Sequence, residues 1–392
     1  MPPAPASMPE SIALETQDSV SATADMCDSR TTDTADSGAA VVGDPAATGD
    51  MYDLDETDMA LVDALQTSPR GPWSRIGAVL GIDATTAARR WDRLRASGLA
   101  WSTAYESWER HGRGQRLCMA FADVAVAPGS LAAATEAACA DPRVASVERT
   151  TGGGTTGSDG ALFLTVSCSG TAALTRFADG PLAGLPGARD VQLSVVLHSY
   201  REGADWKVHA LDRGQRSRLA SAVAAHAAAP QHGDADRALL RSLSCDARRS
   251  YSDLARDTGA SEATVRRRLT RMLGSGQVRI RCDVSHLAAG RPVISTYRVA
   301  VPSAELDAAG HLVAALPGVR LCMAVTGEAN LLVSTWARSL SDAAGFEVRL
   351  GSRLPGARIL RRDVTLLTAK RMGRLLDDDG RARGHVPVDH LL

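Results

Sequence analysis

The stretch DADRALLRSLSCDARRSYSDLARDTGASEATVRRRLTRMLGSG, residues 234–276, decides the fold, because residues 56–98, ETDMALVDALQTSPRGPWSRIGAVLGIDATTAARRWDRLRASG, repeat it at an offset of 178 without a gap. Asp58 falls on Asp236, Leu61 on Leu239, Leu65 on Leu243 and Arg70 on Arg248. Gly81 falls on Gly259, Thr86 on Thr264, Arg89-Arg90 on Arg267-Arg268, Arg93 on Arg271 and Ser97-Gly98 on Ser275-Gly276. One register held over this length marks a duplicated unit. In the later copy, Asp236–Leu243 reads as a short helix with Leu239, Leu240 and Leu243 on one face, and Ser252–Asp257 as a second. Thr258-Gly259-Ala260 is a tight turn in which Gly259 can take a positive φ. Ser261 caps a third helix whose buried stripe is Val265, Leu269 and Met272, spaced i, i+4, i+7. Its other face carries Arg266, Arg267 and Arg271, with Arg268 beside them. Gln277–Cys282 alternates apolar and basic residues and reads as a strand, a wing. The first copy follows: Ile76, Val79 and Leu80 inward, Asp83 as cap, Ala87, Trp91 and Leu94 as stripe, and Arg89, Arg90 and Arg93 outward.

Two short helices, a glycine turn and a third helix with exposed arginines is the arrangement that sets one helix into a DNA major groove. The expected DNA-binding residues are Thr85, Thr86, Arg89, Arg90 and Arg93 in the first copy and Ser261, Thr264, Arg266, Arg267, Arg268 and Arg271 in the second. Hydroxyls and arginines near the helix start suit base edges, and later arginines suit phosphates. Segmental charge agrees: Asp246 to Arg281 holds nine arginines against four acids, and Pro69 to Trp101 six against two. The whole-chain charge of −1 hides this, partly because residues 1–50 carry nine acids and the single base Arg30.

Each helical unit is followed by a β-α-β-β-α-β pattern. In the second copy it runs Val293–Val301, Ser303–Ala315, Gly318–Val325, Leu331–Trp336, Ser339–Leu350 and Ala357–Leu367; the first copy has the same order from Leu117 to His198. Pro186-Gly187-Ala188-Arg189 recurs as Pro355-Gly356-Ala357-Arg358 at an offset of 169, and a Gly-rich loop between Gly152 and Gly160 accounts for the shortened offset. The fold class is therefore α+β: two winged helix-turn-helix domains alternating with two ferredoxin-like βαββαβ domains. The bare sheet faces are expected to pack on one another within the chain as a pseudo-dimer. The expected division is a disordered tail (1–52), a first helix-turn-helix domain (53–108), a first ferredoxin-like domain (115–200), a linker helix (205–232), a second helix-turn-helix domain (233–284), a second ferredoxin-like domain (290–370) and a tail (371–392).

At this point the sequence resembles the Lrp/AsnC family of leucine-responsive and asparagine-linked "feast/famine" regulators over residues 53–370, taken as two family units. The carrying residues are Leu54-Asp55-Glu56-Thr57-Asp58, Asp234-Ala235-Asp236, Gly259-Ala260-Ser261, Val265-Arg266-Arg267-Arg268-Leu269 and the hairpin Val325-Thr326-Gly327-Glu328-Ala329-Asn330-Leu331-Leu332. The resemblance implies a DNA-binding transcription regulator that pairs its effector domains and takes an amino acid or other small molecule near a Gly-x-x-Asp hairpin; a homo-oligomer beyond the internal pseudo-dimer stays open. Carried over residue by residue, that site is Thr326, Gly327, Glu328 and Asn330, where Asn330 stands for the usual acid, and Ser158 and Asp159 in the first copy. Two non-identical recognition helices predict an asymmetric operator.

Other classes are weighed against this. The nine histidines show no metal-ligand spacing, no phosphate loop opens a helix, and no catalytic triad order presents itself, so neither catalytic nor metal residues nor a cofactor is expected. A sirohaem decarboxylase-like enzyme shares the architecture, with Arg291-Pro292 as its nearest trace, and an adaptor that does not bind DNA is the third reading. The seven cysteines form no CxxC pair, no apolar run is long enough for a bilayer, and no signal peptide is legible, so a reduced, cytoplasmic, nucleoid-associated bacterial protein without membrane contact is expected.

Overall fold

The computed structural model describes residues 54–107, 117–152, 160–220, 234–276 and 278–389. The expected tail at 1–52 lies outside them, as do residues 153–159 of the Gly-rich loop, which include Ser158 and Asp159.

The first copy runs α1 (Glu56–Thr67), α2 (Trp73–Leu80), α3 (Ala84–Ala96), β1 (Ala100–Glu106), β2 (Cys118–Val126), α4 (Leu131–Ala140), β3 (Val144–Thr150), β4 (Gly160–Cys168), α5 (Thr171–Phe177) and β5 (Ala188–Arg201). A short α6 (Arg213–Leu219) follows. The second copy runs α7 (Asp234–Cys245), α8 (Tyr251–Thr258), α9 (Glu262–Gly274), β6 (Val278–Val284), β7 (Val293–Ala300), α10 (Leu306–Ala314), β8 (Val319–Val325), β9 (Leu331–Ala337), α11 (Leu340–Arg353) and β10 (Arg358–Arg371), then β11 (Arg374–Leu376) and β12 (Ala382–His385). The helix boundaries follow local chemistry. Asp55, Asp83, Ser250 and Ser261 each accept a backbone N–H of the first turn they cap. Gly81 and Gly259 end α2 and α8 at φ +73° and +64°, which opens the turn into the third helix of each unit.

The strand read as a wing has a different partner. β6 forms no hairpin within its own copy; it pairs antiparallel with β1 of the other, Thr103 opposite Arg281 at the centre. A lone strand has backbone groups to satisfy, and the matching edge of the duplicated unit supplies them. Ala104 of β1 thereby enters the core of the second helical unit with Leu239, Leu254 and Leu269. Cys282 and Val284 of β6 enter that of the first, with Leu61, Ile76 and Trp91.

The remaining strands join edge to edge. The order is β3-β4-β2-β5-β8-β9-β7-β10, and β10 closes on β3, so eight strands form a ring. Both long strands are shared. Ala188–Val195 of β5 pairs with β2 and Val196–Arg201 with β8; Arg358–Val364 of β10 pairs with β7 and Thr365–Lys370 with β3. The sheets of the two copies are thus continuous with each other through β5 and β10. Alternation sorts their residues: Leu162, Leu164 and Val166 sit in a core with residues of α4 and α5, Val299, Leu331 and Val333 in one with Phe346 of α11, while Phe121, Phe163, Met323 and Leu332 form a separate cluster inside the ring.

Two expected segments differ. The linker helix expected at 205–232 is an extended strap in its first part: Trp206 packs on Trp336 with ring centroids 4.8 Å apart, and only Arg213–Leu219 is helical before the description ends at Ala220. Side chains of α1 hold it, the buried Asp63 accepting the Leu211 N–H at 2.8 Å and Gln66 the Val208 N–H at 2.9 Å. The C-terminal tail from 371 is likewise structured, β11 pairing with β10 and β12 with β11. Among the described residues no helix is long and apolar enough to cross a membrane.

Candidate nucleic-acid interface

α3 and α9 carry the residues expected to meet DNA, and the structure sorts them into three groups. The first is structural. Asp58 is buried in α1 and receives Arg90 at 2.9 Å and Arg93; Asp55 receives Arg90 at 2.6 Å. The second copy repeats the clamp: Asp236 of α7 receives Arg271 at 2.6 Å, with Arg268 at 3.9 Å. Arg90, Arg93, Arg268 and Arg271, expected to meet DNA, fasten the third helix to the first through these pairs, and Arg93 stays exposed while doing so. A buried carboxylate must be paired, and the arginine one turn along the third helix is the nearest cation. The signal was present in the sequence, since both copies carry an acid 35 residues before the clamping arginine.

The second group is held by local contacts. Thr86 donates its hydroxyl to Asp83 at 2.6 Å, and the Ser261 hydroxyl lies 3.0 Å from that of Thr264, so these three side chains build the helix caps. Arg266 lies over the Tyr251 ring, 4.3 Å from its centroid.

The third group is exposed. Thr85, Arg89 and Arg267 face solvent, and Arg89 and Arg267 make no ion pair among the described residues. They are equivalent positions in the two copies, one on α3 and one on α9.

A pair of arginines fixes how the two helical units meet. Arg70 donates to the carbonyls of Ala247 (2.5 Å) and Arg249 (3.0 Å), and Arg248 donates to those of Pro69 (2.6 Å) and Gly71 (3.2 Å). Arg70 also lies over Tyr251 at 5.0 Å and Arg248 over Trp73 at 3.9 Å. At the offset of 178 every partner maps onto its counterpart, so a pseudo-two-fold axis runs between the units, as an isologous interface requires. Burial, with Arg70 nearby, pulls the Arg248 guanidinium down to about 10.

The hairpin expected to hold an effector ties the copies together through Thr326. Thr326 donates its N–H to the Val195 carbonyl and accepts the Val195 N–H on its hydroxyl, both at 2.9 Å. Asn330 accepts the Val301 N–H at 2.9 Å and donates to the Val301 carbonyl at 2.8 Å, so its amide replaces a ladder pair between strand ends. Gly327 turns the hairpin at φ +115°, beside an exposed Glu328. Asn330 is thus committed to the backbone, and Ser158 and Asp159 lie outside the described residues.

Comparison with known proteins bears on both halves of the unit. The AsnC-type helix-turn-helix domain matches at residues 54–95 and again at 234–273. An uncharacterised helix-turn-helix transcriptional regulator of Pyrococcus furiosus is 30% identical over 112 residues, 28% of this chain and 76% of the relative. One from Pyrococcus abyssi is 27% identical over 150 residues, which is 38% of this chain but 94% of the relative. A nearly complete relative therefore corresponds to little more than one copy. The crystal structure of the siroheme decarboxylase NirDL superposes with a TM-score of 0.52 at 13% identity, covering 81% of this chain and 93% of that one, which is a likeness of fold.

Proposed function

The chain belongs to the Lrp/AsnC family of helix-turn-helix transcriptional regulators, duplicated within one polypeptide, and from that premise we propose that it grips double-stranded DNA as a single-chain pseudo-dimer, with Arg89 and Arg267 as the principal phosphate or base contacts of α3 and α9. The βαββαβ units act in this reading as ferredoxin-like effector domains that set the spacing of the two helices, and a small-molecule effector biases that spacing through the shared strands β5 and β10. The observation that carries the proposal is the recurrence, at matched positions of two units related by a pseudo-two-fold axis, of an exposed, unpaired guanidinium on the helix that follows a glycine turn. Thr85 stands where the second copy has Ala263, and Asp83 where it has Ser261, so the two half-sites differ in sequence.

The fold shared with siroheme decarboxylase raises an enzyme as the second reading. The cavity inside the ring measures about 150 Å³, below the roughly 300–1,000 Å³ of pockets for drug-sized ligands, which favours a small effector over a tetrapyrrole.

The test separates the arginine groups. DNA captured from a genomic library is titrated with protein at several salt concentrations. Arg89→Ala and Arg267→Ala should each lower the slope of log K against log salt by about 1, with the melting temperature unchanged. Arg93→Ala and Arg271→Ala should lower the melting temperature first. An Arg89→Ala/Arg267→Ala double variant that titrates like the parent protein refutes the assignment.

A further inference from the structure

The first βαββαβ unit lacks a filling that the second one has. In the second unit Leu312, Val313 and Leu316, at the end of α10, pack with Leu350 of α11 in one core. Pro142 corresponds to Pro317, an offset of 175, and Pro186 to Pro355, an offset of 169. By these offsets the first unit has Ala137, Ala138 and Asp141 at the end of α4, and Pro181 after α5. Four large aliphatic side chains are thus replaced by two methyl groups, a carboxylate and a proline ring.

The backbone diverges at the same place. α11 runs unbroken for 14 residues, whereas α5 stops at Phe177, whose counterpart Phe346 lies in mid-helix. A proline has no N–H to offer the carbonyl four residues back, and its ring crowds that carbonyl. Pro181 stands four residues after Phe177, and the chain opens there into one wide turn, Ala178–Leu182, closed by the Ala183 N–H on the Ala178 carbonyl at 3.1 Å. A cleft of about 210 Å³ is left between the end of α4 and this turn. Ala138 and Phe177 are buried at its base; Ala137, Pro181 and Gly184 are exposed at its mouth. Asp141 is the one charged side chain on its wall among the described residues, and Arg143 holds both its carboxylate oxygens, at 2.9 and 2.6 Å. A space with so little free polar lining holds water poorly.

We propose that this cleft binds an uncharged aromatic molecule between benzene and indole in size. A dry apolar cavity of about 150 Å³ accepts a benzene ring, and the larger space here admits a substituted or fused one. The Phe177 ring offers it an edge or offset-stacked contact. An acid or an amine would lose its hydration without gaining a partner, because the only carboxylate is already paired. The site lies outside the strand ring, on the helix side of one unit, and has no counterpart in the second unit, whose own side chains fill the place. It draws nothing from the DNA-binding reading. It does have a route outward. The carbonyls of Cys139 and Asp141, at this end of α4, hold the Lys370 ammonium, both at 2.9 Å, so a ligand that shifts α4 is felt on β10 of the other unit.

The test is isothermal titration calorimetry on the full chain with benzene, toluene, phenol and indole, and with benzoate and benzylamine as charged counterparts. At least one uncharged ring should bind saturably, and both charged ones at least about tenfold more weakly. Ala137→Leu/Ala138→Val, which installs the second unit's side chains, should abolish binding and leave the melting temperature of the free protein equal or higher, because filling a void does not strain the fold. Pro181→Leu fills from the opposite wall and should weaken binding about tenfold or more, an arm that decides if the double variant alone fails to fold. On saturation of the parent protein, the Lys370 amide resonance should shift. No saturable binding by any uncharged probe overturns the proposal. So does binding that survives both substitutions, charged probes that bind as well as uncharged ones, or a lowered melting temperature in both variants, which would mean that the added side chains have no room. An unmoved Lys370 resonance overturns the coupling to β10.

Discussion

Among forty-four basic residues only Lys207 and Lys370 are lysines, and both are used in the same way. Lys370 is fully buried and donates its ammonium to the carbonyls of Cys139 and Asp141, both at 2.9 Å, at the C-terminal end of α4. Lys207 reaches the Gln66 carbonyl at the end of α1. A compact ammonium fits between converging carbonyls at the negative end of a helix, where a planar five-donor fork does not. Burial brings the Lys370 ammonium down to about 8, with Cys139 and Asp141 opposing that fall. Lys370→Arg, conservative by charge, should therefore cost about 1–3 kcal/mol by overpacking, read as a lowered melting temperature; an unchanged melting temperature would contradict this role. The arginines show the converse. The buried Arg281 and Arg320 instead share the planar carboxylate of Asp283.

At the scale of elements, the segment after β10 acts as a strap. The Ala382 N–H donates to the Gly98 carbonyl at 2.8 Å, Arg374 donates to the Cys245 carbonyl at 2.5 Å, and the Gly373 N–H donates to Ala145 in the ring at 2.9 Å. It thus touches the first helical unit, the second and the ring. Gly98 takes φ +70°, and a Cβ there would stand 2.5 Å from the Ala382 carbonyl oxygen. Removing residues 373–392 should lower the melting temperature and raise amide exchange in α3 and α7 more than in the ring strands β2 and β4. Gly98→Ala should reproduce the effect at α3, because it both strains the turn and displaces the strap. Uniform exchange across the molecule after truncation would show that the strap contributes only bulk stability.

For the whole molecule, duplication has allowed the two halves to diverge where they meet. Asp123 on β2 and Arg298 on β7 occupy equivalent positions and bind each other inside the ring, with Asp363 on Arg298 at 2.7 Å. Two identical chains would place like residues there; a fused pair can place opposite charges, which favours closure within the chain. The histidines set a pH response. His286 is pushed down to about 3 by burial, with Arg371 and Arg320 adding to it, and His385 to about 3 by burial and then Arg374 and Lys370. Below about 6.5 the unfolded chain takes up protons on these rings that the folded chain refuses, so stability falls as pH drops from about 6.5 toward about 3. Between pH 6.5 and 5.5 the loss should be about 1 kcal/mol for each ring. Urea midpoints measured across that window check it, and His286→Phe should remove roughly half the slope; a flat profile would count against both burials.

The sequence by itself determined the units. Caps at Asp83 and Ser261, glycine turns at Gly81 and Gly259, the stripes through Trp91 and Met272 and the βαββαβ alternation are local patterns, and a gap-free repeat states them twice. What one unit does to the other was decided only in the folded molecule. The exchange of β1 and β6, the closure of β10 on β3, the reciprocal grip of Arg70 and Arg248, and the ion pairs of Arg90, Arg93 and Arg271 with acids at the first helix of each unit all join residues from 32 to more than 200 positions apart. Local periodicity reports which face of an element is apolar; it carries no term for the distant carboxylate or carbonyl that a buried guanidinium must find.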